Sequence, residues 1–340
     1  MNKTPKITLS DVAVAADVSP ITVSRALRNP DKVSVEARAR IDRAIHELGY
    51  VPNPAARALA LGRTDIVGVI IPSVSNNVFA DVMRGIDEGL QGSGLGVQLG
   101  TTRYSPTTEE DLIRVFLSQR PAGLIVAGHD QSPVARRLLE GAECPVVQIM
   151  EVGPAPIDLA VGLSHFEGAR AGAAHLLAQG YRAPAFLGAQ MDPRSQRRLA
   201  GFRACLAEAG LNAEDPVVTT PEPSSVSLGC RLLADLLARW PMTDAVLCNN
   251  DDLALGVLFE ARRRNIRVPE QLGICGFNDH EMMSAAEPPL SSVATDRLSM
   301  GRQAIGLIRS RLAGAGPERG SSVDLGFRLV PRASTARRRS

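Results

Sequence analysis

Cysteine is sparse and unpatterned in this chain of 340 residues. Cys144, Cys205, Cys230, Cys248 and Cys275 are odd in number and far apart, with no C-x-x-C pair and no Cys/His cluster. That excludes a disulfide framework and a zinc site, and leaves the thiols as small core groups. No metal is expected. No apolar run approaches the length of a bilayer span, and the N-terminus lacks the apolar stretch of an export signal, so a cytoplasmic protein is expected. Enzyme signatures are missing too. No G-x-G-x-x-G opens a helix after the first strand, and the run Gly92-Ser93-Gly94-Leu95-Gly96 precedes a strand and reads as a loop. Walker A and G-x-S-x-G patterns do not occur. The chain is expected not to be an enzyme and to need no cofactor. An apolar fraction of 44% is ordinary for a globular protein, and the length allows two or three domains.

Net charge is small, but its placement is not even. Of a formal +2, residues 1–63 carry ten Lys/Arg against six Asp/Glu, about +4. The end from Arg332 adds four arginines, which leaves the remainder near −6. A basic head on an acidic body fits one end for nucleic acid and another for a small molecule. The arginine-rich end itself, 333–340, reads as a frayed basic tail.

The head explains its charge. Residues Ile7 to Ser34 read as two short helices joined by a tight turn. Thr8 can cap the first helix, with Asp11 three residues on to answer it, and Val12, Ala13, Ala15 and Ala16 give that helix a small apolar face. Asp17-Val18-Ser19 makes the turn. Ser19 caps the second helix, and Pro20 takes its first position, where a missing N–H costs nothing. A helix of this size fits the DNA major groove. Arg25 can fork onto a guanine edge. Thr22 and Ser24 suit phosphate oxygens, and Pro20 and Ile21 suit a thymine methyl. Thr8, Ser19, Arg28 and Asn29 complete the candidate DNA contacts of this region. A third helix follows Ser34, with Ile41, Ala44, Ile45 and Leu48 on one stripe and Gly49 at its end. The competing reading is a small helical core with a solvated arginine.

Between head and body lies Tyr50 to Thr64. Pro52 and Pro54 interrupt any continuous helix, and Asn53 can cap a new one. Ala55 to Ala60 favours helix but is too short to be stable alone. Two copies side by side on DNA would hold it. Leu59 would then be a wedge for the minor groove, and Ala56 would allow close helix approach. A flexible linker is the alternative.

From Ile66 the pattern alternates short β-branched runs with helical stretches, in two blocks with a restart after Gly162. The fold class is therefore α/β: a small helical head plus two open, doubly wound parallel sheets. Such sheets bind ligands at the C-terminal ends of their strands, and two facing sheets make a cleft. Polar residues recur there: Ser73 and Asn77, His129, Glu151, Arg194, Arg197 and Arg198, Asn250 and Asp251, Asn278. Each could instead cap a helix, a strong alternative for Asp251 and Asp252.

Together these segments resemble the lac-repressor family of bacterial transcription regulators over essentially the whole length. The carrying motifs are TLSDVAVAADVSPITVSRAL, YVPNPAARALA, RLAGF at Arg198–Phe202, NDDLALG at Asn250–Gly256 and GFND at Gly276–Asp279. TVSRALRNPDKVS, AVGLSHFEGAR and DLGFRLVP resemble the gluconate-utilisation subgroup. The resemblance implies a helix-turn-helix domain over 1–50, a hinge helix over 51–63 and a periplasmic-binding-protein-like sensor over 64–340. Its first lobe would comprise about 64–162 and 292–322, and its second about 163–291 and 323–332. It implies a homodimer, or else a tetramer, on a palindromic operator. Arg198, Asn250 and Asn278 would hold the ligand, Glu151 would accept its hydroxyls, and Phe79 would form an apolar wall. Ile21 and Arg25 would read bases, and Leu59 would be the minor-groove lever. Two departures matter. Asp17 replaces the usual glycine of the turn, a modest cost for a residue that tolerates a left-handed backbone. Asn278 stands where several sugar-binding relatives carry aspartate, which favours an anionic ligand. The expected function is a repressor whose operator affinity falls when a sugar acid of the gluconate or keto-gluconate type closes the cleft. Alternatives are a sensor of a neutral sugar, a corepressor-type regulator or, from another class, a cytosolic enzyme.

Overall fold

The computed structural model describes residues 7–28, 30–51, 58, 61–153, 155–211 and 216–337. The chain divides into two compact units, Met1–Thr64 and Asp65–Ser340.

In the first unit, α1 (Leu9–Ala15), α2 (Pro20–Arg28) and α3 (Val35–Leu48) enclose a core of Val12, Ala13, Ala16, Val23, Ile41, Ala44 and Tyr50. Thr8 and Asp11 close a reciprocal cap: Asp11 Oδ2 accepts from the Thr8 N–H at 2.7 Å, and Thr8 Oγ1 accepts from the Asp11 N–H at 3.4 Å. Ser19 Oγ accepts from the Thr22 N–H at 3.2 Å and starts α2. Asp17 adopts φ 51°, the left-handed conformation that lets α2 turn away from α1. Ala15 is exposed, so the apolar face of α1 is narrower than the sequence implies, because its core-facing stripe runs through Val12, Ala13 and Ala16.

The second unit has two lobes. The first is a six-stranded, wholly parallel sheet in the order β11-β5-β4-β3-β1-β2. Its strands are β1 (Ile66–Ile71), β2 (Gly96–Thr101), β3 (Gly123–Ala127), β4 (Val146–Glu151), β5 (Leu159–Leu163) and β11 (Ser321–Asp324). Its helices are α4 (Asn77–Leu90), α5 (Pro106–Ser118), α6 (Pro133–Glu140) and α12 (Arg297–Leu312). The second lobe orders its sheet β12-β10-β9-β8-β6-β7. These are β6 (Pro184–Ala189), β7 (Val217–Thr220), β8 (Ala245–Cys248), β9 (Gly273–Asn278), β10 (Ser291–Ala294) and β12 (Arg328–Val330), with only β12 antiparallel to its neighbour. Helices α7 (His165–Ala178), α8 (Pro193–Glu208), α9 (Val226–Arg239) and α10 (Asp251–Arg263) flank it, and α11 (Glu281–Ala285) follows β9. The central strands are buried along their whole length, as expected of parallel sheets covered on both faces. Helices α4 and α12 meet through Gly85 and Gly301, where a Cβ would strike the partner's backbone.

The lobe boundaries and the C-terminal end differ from the sequence reading. The strand Leu159–Leu163 completes the first lobe before the chain crosses, whereas the sequence pattern shows only a restart there. Ser292, Val293 and Ala294 belong to the second lobe, because β10 pairs with β9, so the return crossing falls near Thr295 rather than Ser291. Val323 and Asp324 stay in the first lobe through β11. The segment after Arg332 is not a frayed tail as far as Arg337. Ser334 and Thr335 are buried, Ser334 Oγ accepts from the Ser291 N–H at 2.8 Å, and Arg337 pairs with Asp244 at 3.3 Å.

Candidate functional site

The lobes face each other across a cleft with an inner cavity of about 100 Å³. Its walls are the C-terminal ends of β1, β2 and β4 on one side and β6, β8 and β9 on the other, through Ser73, Tyr104, Met150, Gln190, Asn250 and Asn278. An outer cavity of about 350 Å³ shares Tyr104, Gln190, Asp192 and Arg194 with it. Positive φ values at non-glycine residues gather here: Tyr104 60°, Met150 84°, Gln190 47°, Asn278 109° and Asp279 59°. Strained backbone collects where a surrounding network holds it for a purpose.

Helix α8 supplies the positive charge. Asp192 caps it, accepting from the Ser195 N–H at 2.9 Å, so the helix starts at Pro193. Arg194 and Arg198 are then one turn apart on the same face, and both line the cavity. Their partners differ. Arg194 is held by Asp192 at 2.6 Å and lies 5.5 Å from the Phe79 ring centroid. Arg198 is 6% exposed and has its guanidinium 3.8 Å from the Phe277 ring centroid. It donates to His165 Nδ1 at 3.2 and 3.1 Å and to the Asn249 carbonyl, all neutral acceptors. Burial, and then the charge of Arg194, push its pKa down to about 9. His165 donates from Nε2 to the Met150 carbonyl at 3.0 Å, which fixes the tautomer that accepts from Arg198. Burial, and next the arginine beside it, keep His165 well below its ordinary pKa and so neutral.

The candidates from sequence divide. Ser73, Arg198, Asn250, Asp251 and Asn278 line the cavity. Asn278 is 2% exposed, and its Oδ1 is buried with no hydrogen-bond partner. Asn250 caps α10, its Oδ1 taken by the Leu253 N–H and the Ser224 hydroxyl, so its Nδ2 donors remain. Asp251 is turned to structural use: its carboxylate accepts from the His280 N–H at 2.8 Å and from Ser292 Oγ at 2.7 Å. Asn77, Phe79, His129 and Glu151 do not line the cavity. Asn77 is exposed at the start of α4, and Phe79 is sunk in the first lobe's core behind Arg194. His129 is half-buried beyond β3 with Nε2 unpartnered. Glu151 sits 3.8 Å from Arg197 and 3.9 Å from His165, where burial raises its pKa to about 7. Arg197 instead clasps Asp130 across the lobes at 2.6 and 2.8 Å. Tyr104, Gln190, Asp192, His165 and His280 were not read as site residues. For Asp192 the signal was present, as Asp-Pro opening a helix. Among the described residues, no cluster of His, Cys, Asp or Glu could hold a metal, and no helix is long and apolar enough to cross a membrane.

On the head, α2 turns Val23 inward and leaves Pro20, Ile21 and Arg25 exposed, Ile21 by 67%. The Thr22 hydroxyl lies 2.8 Å from Ser19 Oγ, and Ser24 is half-buried. Asn29, Asn53, Ala56 and Leu59, and the side chain of Arg28, lie outside the described residues.

The model for bacterial regulatory proteins of the lacI family matches residues 8–53, and that for a periplasmic binding protein-like domain matches residues 173–335. The chain is 43% identical over 332 residues to the HTH-type transcriptional regulator GntR of Pseudomonas aeruginosa, covering 98% of this chain and 96% of that one. It belongs to the lacI family of bacterial transcription regulators. The HTH-type transcriptional regulator GntR of Escherichia coli is 37% identical over 328 residues, 95% of this chain and 97% of its own. Among solved lacI-family structures, a regulator from Silicibacter pomeroyi superposes with TM-score 0.88 at 38% identity, covering 97% of this chain and all of that one. The lac repressor dimer bound to operator and the anti-inducer ONPF superposes with TM-score 0.84 at 26% identity, covering 97% and 99%. The lacI-family chain is thus a DNA-binding transcription regulator and not an enzyme.

Proposed function

We propose that this regulator is a homodimeric repressor whose operator affinity falls when a small sugar acid, of the gluconate or keto-gluconate type, fills the inner cavity. One observation carries the reading. Arg198 is a buried guanidinium that forms no ion pair among the described residues. A buried cation without a counter-ion is costly, and a ligand carboxylate would relieve it through a charge-assisted, forked contact. Asn278 Oδ1 and the Asn250 amide would take hydroxyls. Glu151, with its pKa raised to about 7 chiefly by burial, is only partly ionised near neutrality and opposes an anion less than an ordinary carboxylate would. Pro20, Ile21 and Arg25 would read the operator in the major groove. The segment holding Asn53, Ala56 and Leu59 would engage the minor groove when two copies pair.

Calorimetry with D-gluconate, a keto-gluconate and D-glucose tests the effector class. The sugar acids should bind and glucose should not; tighter binding of glucose defeats the anionic reading. A gel shift on a palindromic operator sets the sign. Release on adding the sugar acid supports induction, and tighter binding marks a corepressor.

A further inference from the structure

Beyond the ligand contacts, one buried side chain joins the ligand-facing loop of the second lobe to the first lobe. Arg297 opens α12, just after the return crossing, and its side chain is 7% exposed. Its guanidinium spans three elements. Nε and Nη2 donate to Asp81 Oδ2 on α4 at 3.1 and 2.8 Å. Nη1 donates to the Asn278 carbonyl at the end of β9 and to Thr295 Oγ1, at 2.9 Å, in the crossing itself. Nη2 also lies 3.4 Å from His280 Nδ1. Asn278 is the cavity-lining residue with φ 109° whose Oδ1 is buried without a partner. A non-glycine residue keeps such a backbone only when its surroundings over-determine it, and here its carbonyl accepts from Arg297 and, at 3.5 Å, from the Thr295 N–H.

We infer that Arg297 is the positioning residue that couples ligand capture at Asn278 to the placement of the first lobe, through Asp81. The proposal rests on the cavity reading above but not on which ligand fills it. A ligand seated on Asn278 Oδ1 favours the geometry in which its carbonyl and Asp81 share one guanidinium. Asp81 and Arg297 lie on two helices of the first lobe that pack backbone to backbone, so movement of the second lobe against them breaks the contact with the Asn278 carbonyl and frees Asn278. A ligand can shift the lobes only by binding one arrangement better than the other, and this shared guanidinium supplies such a difference. A second ion pair between the same helices, Arg302–Glu88 at 2.5 Å, touches nothing in the cavity and provides the control.

The test uses the full chain and two readouts. In the absence of any ligand, hydrogen exchange at the amides of Asp279 and His280 should quicken at least tenfold in Asp81→Ala and stay unchanged in Arg302→Ala. With D-gluconate as probe, Asp81→Ala should keep its binding constant within about threefold. The ratio of operator affinities without and with probe should fall at least tenfold. Arg297→Lys, which keeps the charge but not the fork, should show both defects. Unchanged exchange in Asp81→Ala overturns the proposal, as does a full operator response. If wild type binds no gluconate while the exchange result holds, the effector class is wrong and the coupling stands.

Discussion

Arg198 shows how a residue can be legible by type and illegible by role. The RLAGF motif marks it, but its acceptor His165 lies 33 positions away and is brought to it only by the packing of α7 on α8. No spacing rule finds such a pair. The same limit applies to Glu151. Its place at a strand end reads as ligand-facing, whereas β4 turns its carboxyl under Arg197 and out of the lining. Two outcomes follow at this scale. Arg198→Met should abolish the effector's influence on operator binding while leaving effector-free operator affinity within about twofold, read by gel shift with and without sugar acid. Glu151 has a folded pKa raised above the ordinary 4.5 to about 7 by burial. Its contribution to stability is therefore complete below about 4.5 and lost as pH rises through about 7. Glu151→Gln should flatten the fall in melting temperature of the Asp65–Ser340 unit across that window; an unchanged slope would show that the carboxyl ionises freely.

Elements were readable where a period or a cap announces them. The Thr8/Asp11 cap, the Ser19-Pro20 start and the Gly49 stop all lie within a few residues of what they organise. The edge strands β11 and β12, Ser-Ser-Val-Asp and Arg-Leu-Val, are too short and too polar to show a pattern, and they exist because a neighbour offers a ladder. Strand β5, Leu-Ala-Val-Gly-Leu, is buried at every residue and so shows no alternation of apolar and polar positions. In the head, the turn between α1 and α2 depends on Asp17 at φ 51°. Asp17→Gly should leave the head's melting transition unchanged or raise it. Asp17→Val should cost about 1–2 kcal/mol, because a β-branched side chain resists that backbone. Thr8→Ala should cost about 1 kcal/mol by leaving the first N–H groups of α1 without an acceptor. Calorimetry of the full chain resolves both, and an Asp17→Val variant that melts like the parent would sink the strain argument.

At the scale of the molecule, the division of charge sets what salt does. The basic head makes operator affinity fall steeply with ionic strength through release of counterions, whereas a ligand sealed between lobes is screened far less. The operator constant should therefore drop by orders of magnitude between about 50 and 200 mM salt while the sugar-acid constant moves only severalfold. Parallel titrations of the full chain decide it, and an equal response of both would place the anion at an open surface. Linkage adds a quantitative demand: saturating operator should weaken sugar-acid binding by the same factor by which the sugar acid weakens operator binding.

The late strands carry a consequence for how this polypeptide comes off the ribosome. Residues 321–324 finish one sheet, and residues 328–335 finish the other and pin it from outside. Synthesis must pass both segments before the two halves of the sensor are whole. Any product that terminates ahead of them emerges with β5 and β10 as unpaired edges, so a shortened copy that holds the operator yet ignores the metabolite should rarely accumulate.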